Sequence, residues 1–175
     1  MSEVRVAVVI GVSGSGKTTL ARALSGPWQA TFLDADDFHS DQARAMMARG
    51  EPLTDQMRLP WAMRIAADLQ RRVADGARVA LAFSGLRRQH RDVLRAANLP
   101  LRFLFLRGEA ALIDRRMRER SGHYMPVSLL DSQFAALEEP FAEEDVVVVP
   151  AELTPERQLH CALQALAIPI RDPAA

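Results

Sequence analysis

The sequence predicts a three-layer α/β sandwich: a five-stranded parallel sheet flanked by helices, with a small helical lid. Three observations carry this. Strand and helix patterns alternate along the chain, which is the signature of β-α-β units with a parallel sheet. The first strand and first helix are joined by a glycine-rich run, Gly11-Val12-Ser13-Gly14-Ser15-Gly16-Lys17-Thr18. The remaining acidic, hydroxyl and arginine clusters fall at the carboxyl ends of predicted strands, where open parallel sheets gather their ligands.

Each element has a local reason. Val4–Ile10 is an apolar, β-branched run suited to a strand buried on both faces. Gly16–Ser25 reads as the helix that follows it. Thr31–Leu33 is a short strand ending in Asp34, and Asp41–Ala48 is a helix for which Asp37 and Asp41 are candidate caps. The turn formers Gly50, Pro52 and Thr54 lead into a long helix over Gln56–Asp75, with Thr54 or Asp55 as its cap. Arg78–Phe83 is the third strand, followed by a helix over Arg87–Ala96. Leu101–Leu106 is the fourth strand, Ala110–Glu119 and Val127–Leu137 are helices, Val146–Val149 is the fifth strand, and Pro155–Ala167 closes the chain as a helix. With 175 residues and no interdomain linker, the expectation is one domain over 1–175, its lid at approximately 115–135.

Composition excludes several classes. The formal net charge is zero, so no general attraction to nucleic acid or to a membrane surface is expected. No apolar run approaches the ~20 residues of a membrane span. Met1 leads directly into a charged strand rather than a signal peptide, and the lone Cys161 allows no internal disulfide; together they predict a cytoplasmic location.

The glycine-rich run carries the chemistry. Gly-x-x-x-x-Gly-Lys-Thr is the phosphate-binding P-loop, so the fold expected is that of a P-loop NTPase. Of the 22 Lys and Arg residues, only Lys17 is lysine, and it stands in this loop. Backbone N–H groups from Gly11, Ser13, Gly14, Ser15 and Gly16 would curl around phosphate. Lys17 would reach the β- and γ-phosphates as a compact point charge, a task for which a planar guanidinium is too wide. Thr18 would offer its hydroxyl to Mg²⁺, and with Thr19 it opens a helix whose positive end faces the nucleotide. ATP and Mg²⁺ are therefore the expected ligands.

Three further constellations surround that loop. Asp34 and Asp36 lie two apart at the end of the second strand; read as extended chain, they would project to one side. Phosphoryl transfer needs one carboxylate on the magnesium side and one to deprotonate the attacking hydroxyl. Ser84, ending the third strand ahead of Arg87, Arg88 and Arg91, reads either as an anion pocket or as the cap of a helix with a solvated basic face, and Arg58 offers a further anion grip. Ser84 stands where many ATPases carry aspartate, which favours a small-molecule kinase over a motor ATPase. Arg116 and Arg120 share a helix face ahead of Ser121-Gly122-His123-Tyr124-Met125-Pro126 and would act as lid cations. The alternative for that helix is a solvated face paired with Asp114 and Glu119.

These residues, taken together, resemble the small P-loop gluconokinases of the thermoresistant type. The shared pieces are the P-loop, Leu33-Asp34-x-Asp36 with His39, Gly50-x-Pro52-Leu53-x-Asp55 with Arg58, Pro60 and Trp61, Ser84-x-Leu86 with Arg91-Asp92, Arg120-x-Gly122-His123, and Ser132-Gln133-Phe134 with Leu137-Glu138-x-Pro140. The resemblance implies a nucleoside-monophosphate-kinase-like fold, often dimeric, that phosphorylates the 6-hydroxyl of D-gluconate with Mg-ATP. It implies Asp36 as base, with Asp34 and Thr18 on the magnesium side. It sets His39, Arg58, Ser84, Arg87, Arg91 and His123 toward the sugar acid, and makes Lys17, Arg116 and Arg120 the catalytic cations.

The departures cluster. The family usually has Asn and Lys at Ala43 and Met46, an acid at Met57, Cys and Ala at Phe83 and Gly85, and Tyr at His90. Gly has become Ala35, and Pro has become Ser40. The ATP side is nearly untouched. The expected substrate is gluconate or another small polyhydroxy acid, with a broader preference than the family shows. Two other readings stand beside it: a same-fold kinase for a shikimate-like alcohol or a nucleoside monophosphate, and a nucleotide-regulated binding module.

Overall fold

The computed structural model describes residues 2–119 and 127–167. Five strands form one sheet: β1 (Val6–Ile10), β2 (Ala30–Asp34), β3 (Arg78–Ala82), β4 (Leu101–Arg107) and β5 (Val146–Pro150). Their spatial order is β2-β3-β1-β4-β5, and every neighbouring pair is parallel. The helices are α1 (Lys17–Ser25), α2 (Asp41–Ala48), α3 (Asp55–Ala74), α4 (Arg88–Arg95), α5 (Ala110–Glu119), α6 (Val127–Ala136) and α7 (Pro155–Ala167). The expected three-layer sandwich and its five parallel strands are thus present.

β1 shows why the sequence folds this way. All five of its residues are buried, and they alternate between two cores. Val6, Val8 and Ile10 join Trp61, Ile65, Leu69, Phe83, Phe103 and Phe105 on one face. Ala7 and Val9 join Leu20, Leu24, Leu104, Leu106 and Ala162 on the other. A strand covered on both faces must be apolar throughout, which is the run read from the sequence. The small Ala7 lies on the face where α1 and α7 pack. β1 lies at the centre, with the chain having moved outward to β2 on one side before β4 and β5 extend the other. Its carboxyl end is therefore the point at which the strand order switches, and the P-loop emerges there.

Three local expectations are corrected. Residues Ala35–Phe38 do not continue β2 but form a 3-10 turn, with Asp34 as its cap: the Asp36 N–H donates to Asp34 Oδ1 at 3.1 Å. Neither Asp37 nor Asp41 caps α2; the Ser40 hydroxyl accepts from the Ala43 N–H at 3.2 Å. Thr54 holds the N-cap position of α3 without a side-chain bond, and Asp55 pairs with Arg87 instead.

Candidate active site

The P-loop lies between β1 and α1. Gly16 caps α1 with φ at +104°, left-handed backbone that L side chains rarely adopt. The Lys17 ammonium donates to the Val12 carbonyl at 2.9 Å. Burial pulls its pKa down to about 8, against the opposing pull of Asp36 and Asp34. A half-buried ammonium held by one carbonyl, with two carboxylates nearby, is poised for an anionic ligand. Ser15 is fully buried, and its hydroxyl has no hydrogen-bond partner. Thr18 donates its hydroxyl to Asp34 Oδ2 at 3.3 Å, which joins two hard oxygens of the kind Mg²⁺ takes. The residues present therefore fit a magnesium-bound polyphosphate. Thr19 is exposed on α1, while Ser13 and Gly14 lie half-buried along the loop.

A consequence is testable with chemistry alone. Lys17 should be the one side-chain amine open to lysine-selective reagents, and its lowered pKa should make it react faster than an ordinary lysine near pH 8. Mg-ATP should shield it. Peptide mass spectrometry with and without nucleotide checks this, and equal labelling in both states would contradict the phosphate-site assignment.

Asp34 serves two ends. One oxygen faces Thr18 and the other anchors the 3-10 turn that presents Asp36. The two carboxylates therefore meet Lys17 through a turn, not through extended alternation. That turn is pinned from three helical positions. Trp61 Nε1 donates to the Ala35 carbonyl at 2.7 Å. Arg64 donates to the Phe38 carbonyl at 3.0 and 3.3 Å. Arg44 donates to the carbonyls of Asp37 and His39 at 2.8 and 3.2 Å. Burial and the neighbouring Asp34 push the Asp36 carboxyl above its ordinary value, with Lys17 pulling the other way. Its side chain nonetheless remains 79% exposed, open to an incoming hydroxyl.

His39 caps the end of that turn, with Nε2 3.7 Å from Asp36 Oδ1. Its ring is 5% exposed; burial and then Arg58, Arg64 and Arg44 pull its pKa down to about 4, so it is neutral at physiological pH. It stacks on Trp61 with centroids 4.6 Å apart and planes 6° apart, and Trp61 stacks on Phe83 at 4.9 Å. This ladder ties together two departures from the family pattern. A Cβ on Gly85 would stand 3.1 Å from Phe83 Cδ1 and 2.8 Å from Ile10 Cγ2, at a backbone φ of +55°. Ile10, the ring at 83 and the left-handed backbone thus all favour glycine at 85.

Beside the ladder is a polar cluster that the sequence did not reveal. Asp55 accepts from Arg87 Nη1 at 2.8 Å, and its other oxygen lies 3.3 Å from His90 Nε2. His90 is buried; burial and Arg58 hold its imidazole below the usual value. Arg58 donates through Nε to the Leu53 carbonyl at 3.2 Å. Among the described residues, no protein acceptor meets its terminal Nη groups, which leaves the fork free for a carboxylate. Ser84 accepts the Gly11 N–H at its carbonyl, 3.2 Å away, so the acceptor-side loop begins against the P-loop.

Arg91 does not belong with these residues. It is 1% exposed, and all five of its N–H donors are engaged. Nε and Nη2 hold Glu143 at 3.0 and 2.5 Å, Nη1 holds the carbonyls of Gly85 and Leu86 at 2.6 and 3.3 Å, and Nη2 also reaches the Glu138 carbonyl at 3.1 Å. No donor remains for a sugar acid; Arg91 clamps the loop after β3. On α5, Arg118 pairs with Asp114 at 2.9 Å, as the solvated-helix alternative expected, while Arg116 is half-buried. Arg120 and His123 lie outside the described residues, as does 120–126 of the segment read as a lid, whose flanks are α5 and α6.

A family profile described as an AAA domain matches residues 6–142. The chain is 36% identical over 176 residues to a gluconokinase of Arabidopsis thaliana, with 93% of each chain covered. It is 41% identical over 144 residues to the thermosensitive gluconokinase of Escherichia coli K12, covering 81% of this chain and 75% of that one. The crystal structure of a gluconokinase from Sinorhizobium meliloti 1021 superposes with a TM-score of 0.86 at 35% identity, covering 95% of this chain and 94% of that one. Likeness of this extent, joined to a P-loop with two carboxylates beside its lysine, places the chain in the gluconokinase family.

Proposed function

We propose that this chain phosphorylates the 6-hydroxyl of D-gluconate with Mg-ATP. The observation that carries the reading is Asp36: a solvent-open carboxylate, raised in pKa, on a turn pinned beside Lys17 and Thr18. Its carboxylate takes the proton from the acceptor hydroxyl as that oxygen bonds to the γ-phosphorus. The bond to the bridging oxygen breaks, and ADP leaves. Lys17 balances charge on the phosphates, and Arg116 and Arg120 add lid cations. Thr18 and Asp34 would hold Mg²⁺, which when bound would supply charge neutralisation on the phosphates. Neutral His39, its ring buried on Trp61, borders the acceptor site beside Asp36, and the free fork of Arg58 grips the carboxylate while Arg87 is held by Asp55. Among the described residues no helix is long and apolar enough to cross a membrane. With its lone cysteine, we place the enzyme in the cytoplasm.

A coupled ADP-release assay across gluconate, its epimers, shorter aldonates and uncharged polyols tests this. Gluconate should turn over. Half-buried Met46 and Met57 and buried Ala43 offer no polar partners, so discrimination among aldonates should be modest. Polyols lacking the carboxylate should be poor acceptors. Arg58→Ala should raise KM for gluconate by about 10–100-fold, the worth of a charge-assisted fork. No ADP release with any sugar acid would sink the reading, and equal use of an uncharged polyol would remove the role given to Arg58.

A further inference from the structure

The P-loop is held by a side chain that none of the chemistry above uses. The Ser13 N–H donates to Gln133 Oε1 at 2.7 Å, and Gln133 Nε2 donates to Ser13 Oγ at 3.0 Å. A backbone N–H can only donate, so the amide orientation is determined, and both of its ends are used on one residue. Gln133 is on α6, separated from Ser13 by 120 residues.

α6 also reaches the acceptor side. Its Leu130 is buried with Val12 of the P-loop and Leu86 of the loop after β3, and Phe134 packs against the same group. Five residues beyond Gln133, the Glu138 N–H donates to the Leu86 carbonyl at 2.8 Å. Glu138 Oε2 in turn accepts the Arg88 N–H at 2.7 Å, at the start of α4. The Glu138 carbonyl is one of the groups held by Arg91. A single segment, Leu130–Glu138, thus grips the nucleotide loop at one end and the acceptor loop at the other. Gly14 tightens the first contact: a Cβ there would stand 2.6 Å from Met117 Cγ, so α5 also packs on the same loop.

We propose that Gln133 is a positioning residue: through α6 it sets the P-loop against the Leu86–Arg91 loop, so that occupation of the nucleotide site orders the acceptor site. Phosphoryl transfer needs donor and acceptor aligned, and an error near 1 Å costs on the order of 100-fold. Among the described residues, the backbone hydrogen bond that joins the two loops is at their roots, where the Gly11 N–H meets the Ser84 carbonyl, and Val12 shares an apolar cluster with Leu86. The tie through Gln133 adds a second point, and two points fix an orientation where one leaves a pivot.

Hydrogen–deuterium exchange on the full chain, with and without Mg-ADP, tests the tie without reference to any acceptor. In the wild type, Mg-ADP should slow exchange in peptides covering both 11–19 and 84–91. Gln133→Met keeps the length and apolar stem but removes both bonds; protection of 11–19 should persist while that of 84–91 is lost. Should that variant fail to fold, Ser13→Ala removes one bond, leaves α6 untouched, and should show the same loss in part. A response at 84–91 that is equal in wild type and variant, or absent from both, overturns the proposal. A kinetic arm rests on the gluconate kinase reading: Gln133→Met should lower kcat by roughly 10–100-fold with KM for ATP near wild type. Wild type that binds Mg-ADP with the expected exchange pattern but releases no ADP with gluconate would count against the substrate, not against the tie.

Discussion

Asp36→Asn should bind Mg-ATP nearly as wild type does and lose about 10²–10⁴-fold in kcat, the range typical of a lost general base. The amide keeps the shape of the side chain, and the turn that presents it is held by Asp34, Trp61, Arg64 and Arg44 through backbone atoms, so the geometry survives. What disappears is the ability to take the hydroxyl proton. The pH profile gives an independent check. The carboxyl is raised by burial and by Asp34, and only its deprotonated form can accept the proton, so activity should fall on acidification at a higher pH than an ordinary carboxylate would give. Asp34→Asn removes the like charge and should move that acid limb downward, alongside an altered magnesium requirement. Near wild-type kcat in Asp36→Asn would end its assignment as base.

Arg91→Met should destabilise the chain by roughly 3–5 kcal/mol, because it leaves the Glu143 carboxylate buried with one cation fewer. For a chain of this size that is a fall in melting temperature of roughly 6–20 °C. Arg95 still reaches Glu143 at 2.5 Å, which favours the lower part of that range. KM for gluconate, measured well below the transition, should change little, since no Arg91 donor is free. The opposite pair of results, unaltered stability with KM raised tenfold or more, would return Arg91 to the substrate.

What could be read from the sequence follows a physical division. The P-loop was legible because its demands are local: glycine where the backbone turns left-handed, as at Gly16, and a lysine where a point charge must reach phosphate. β1 was legible because a strand covered on both faces must be apolar at each position. The carboxylates Asp34 and Asp36 are legible by their place at a strand end, but extended alternation does not set their geometry. A 3-10 turn held by Trp61 and two arginines from elsewhere in the chain decides their geometry.

The arginines mark the boundary most sharply. In sequence, Arg58, Arg87 and Arg91 are equivalent cations near turns; side-chain type says which groups can grip a carboxylate but not which are already engaged. Only packing settles that. Carbonyls at 85, 86 and 138 and the Glu143 carboxylate converge on Arg91 and use every donor, whereas Arg58 keeps its fork. Gln133 shows the same limit, since its partner lies 120 residues away. By itself the sequence determined the layers of the sheet, the phosphate loop and the family, because these rest on periodicity and contiguous motifs. The tertiary structure alone decided which charged groups remain free, because hydrogen-bond saturation is a property of neighbours distant in the chain.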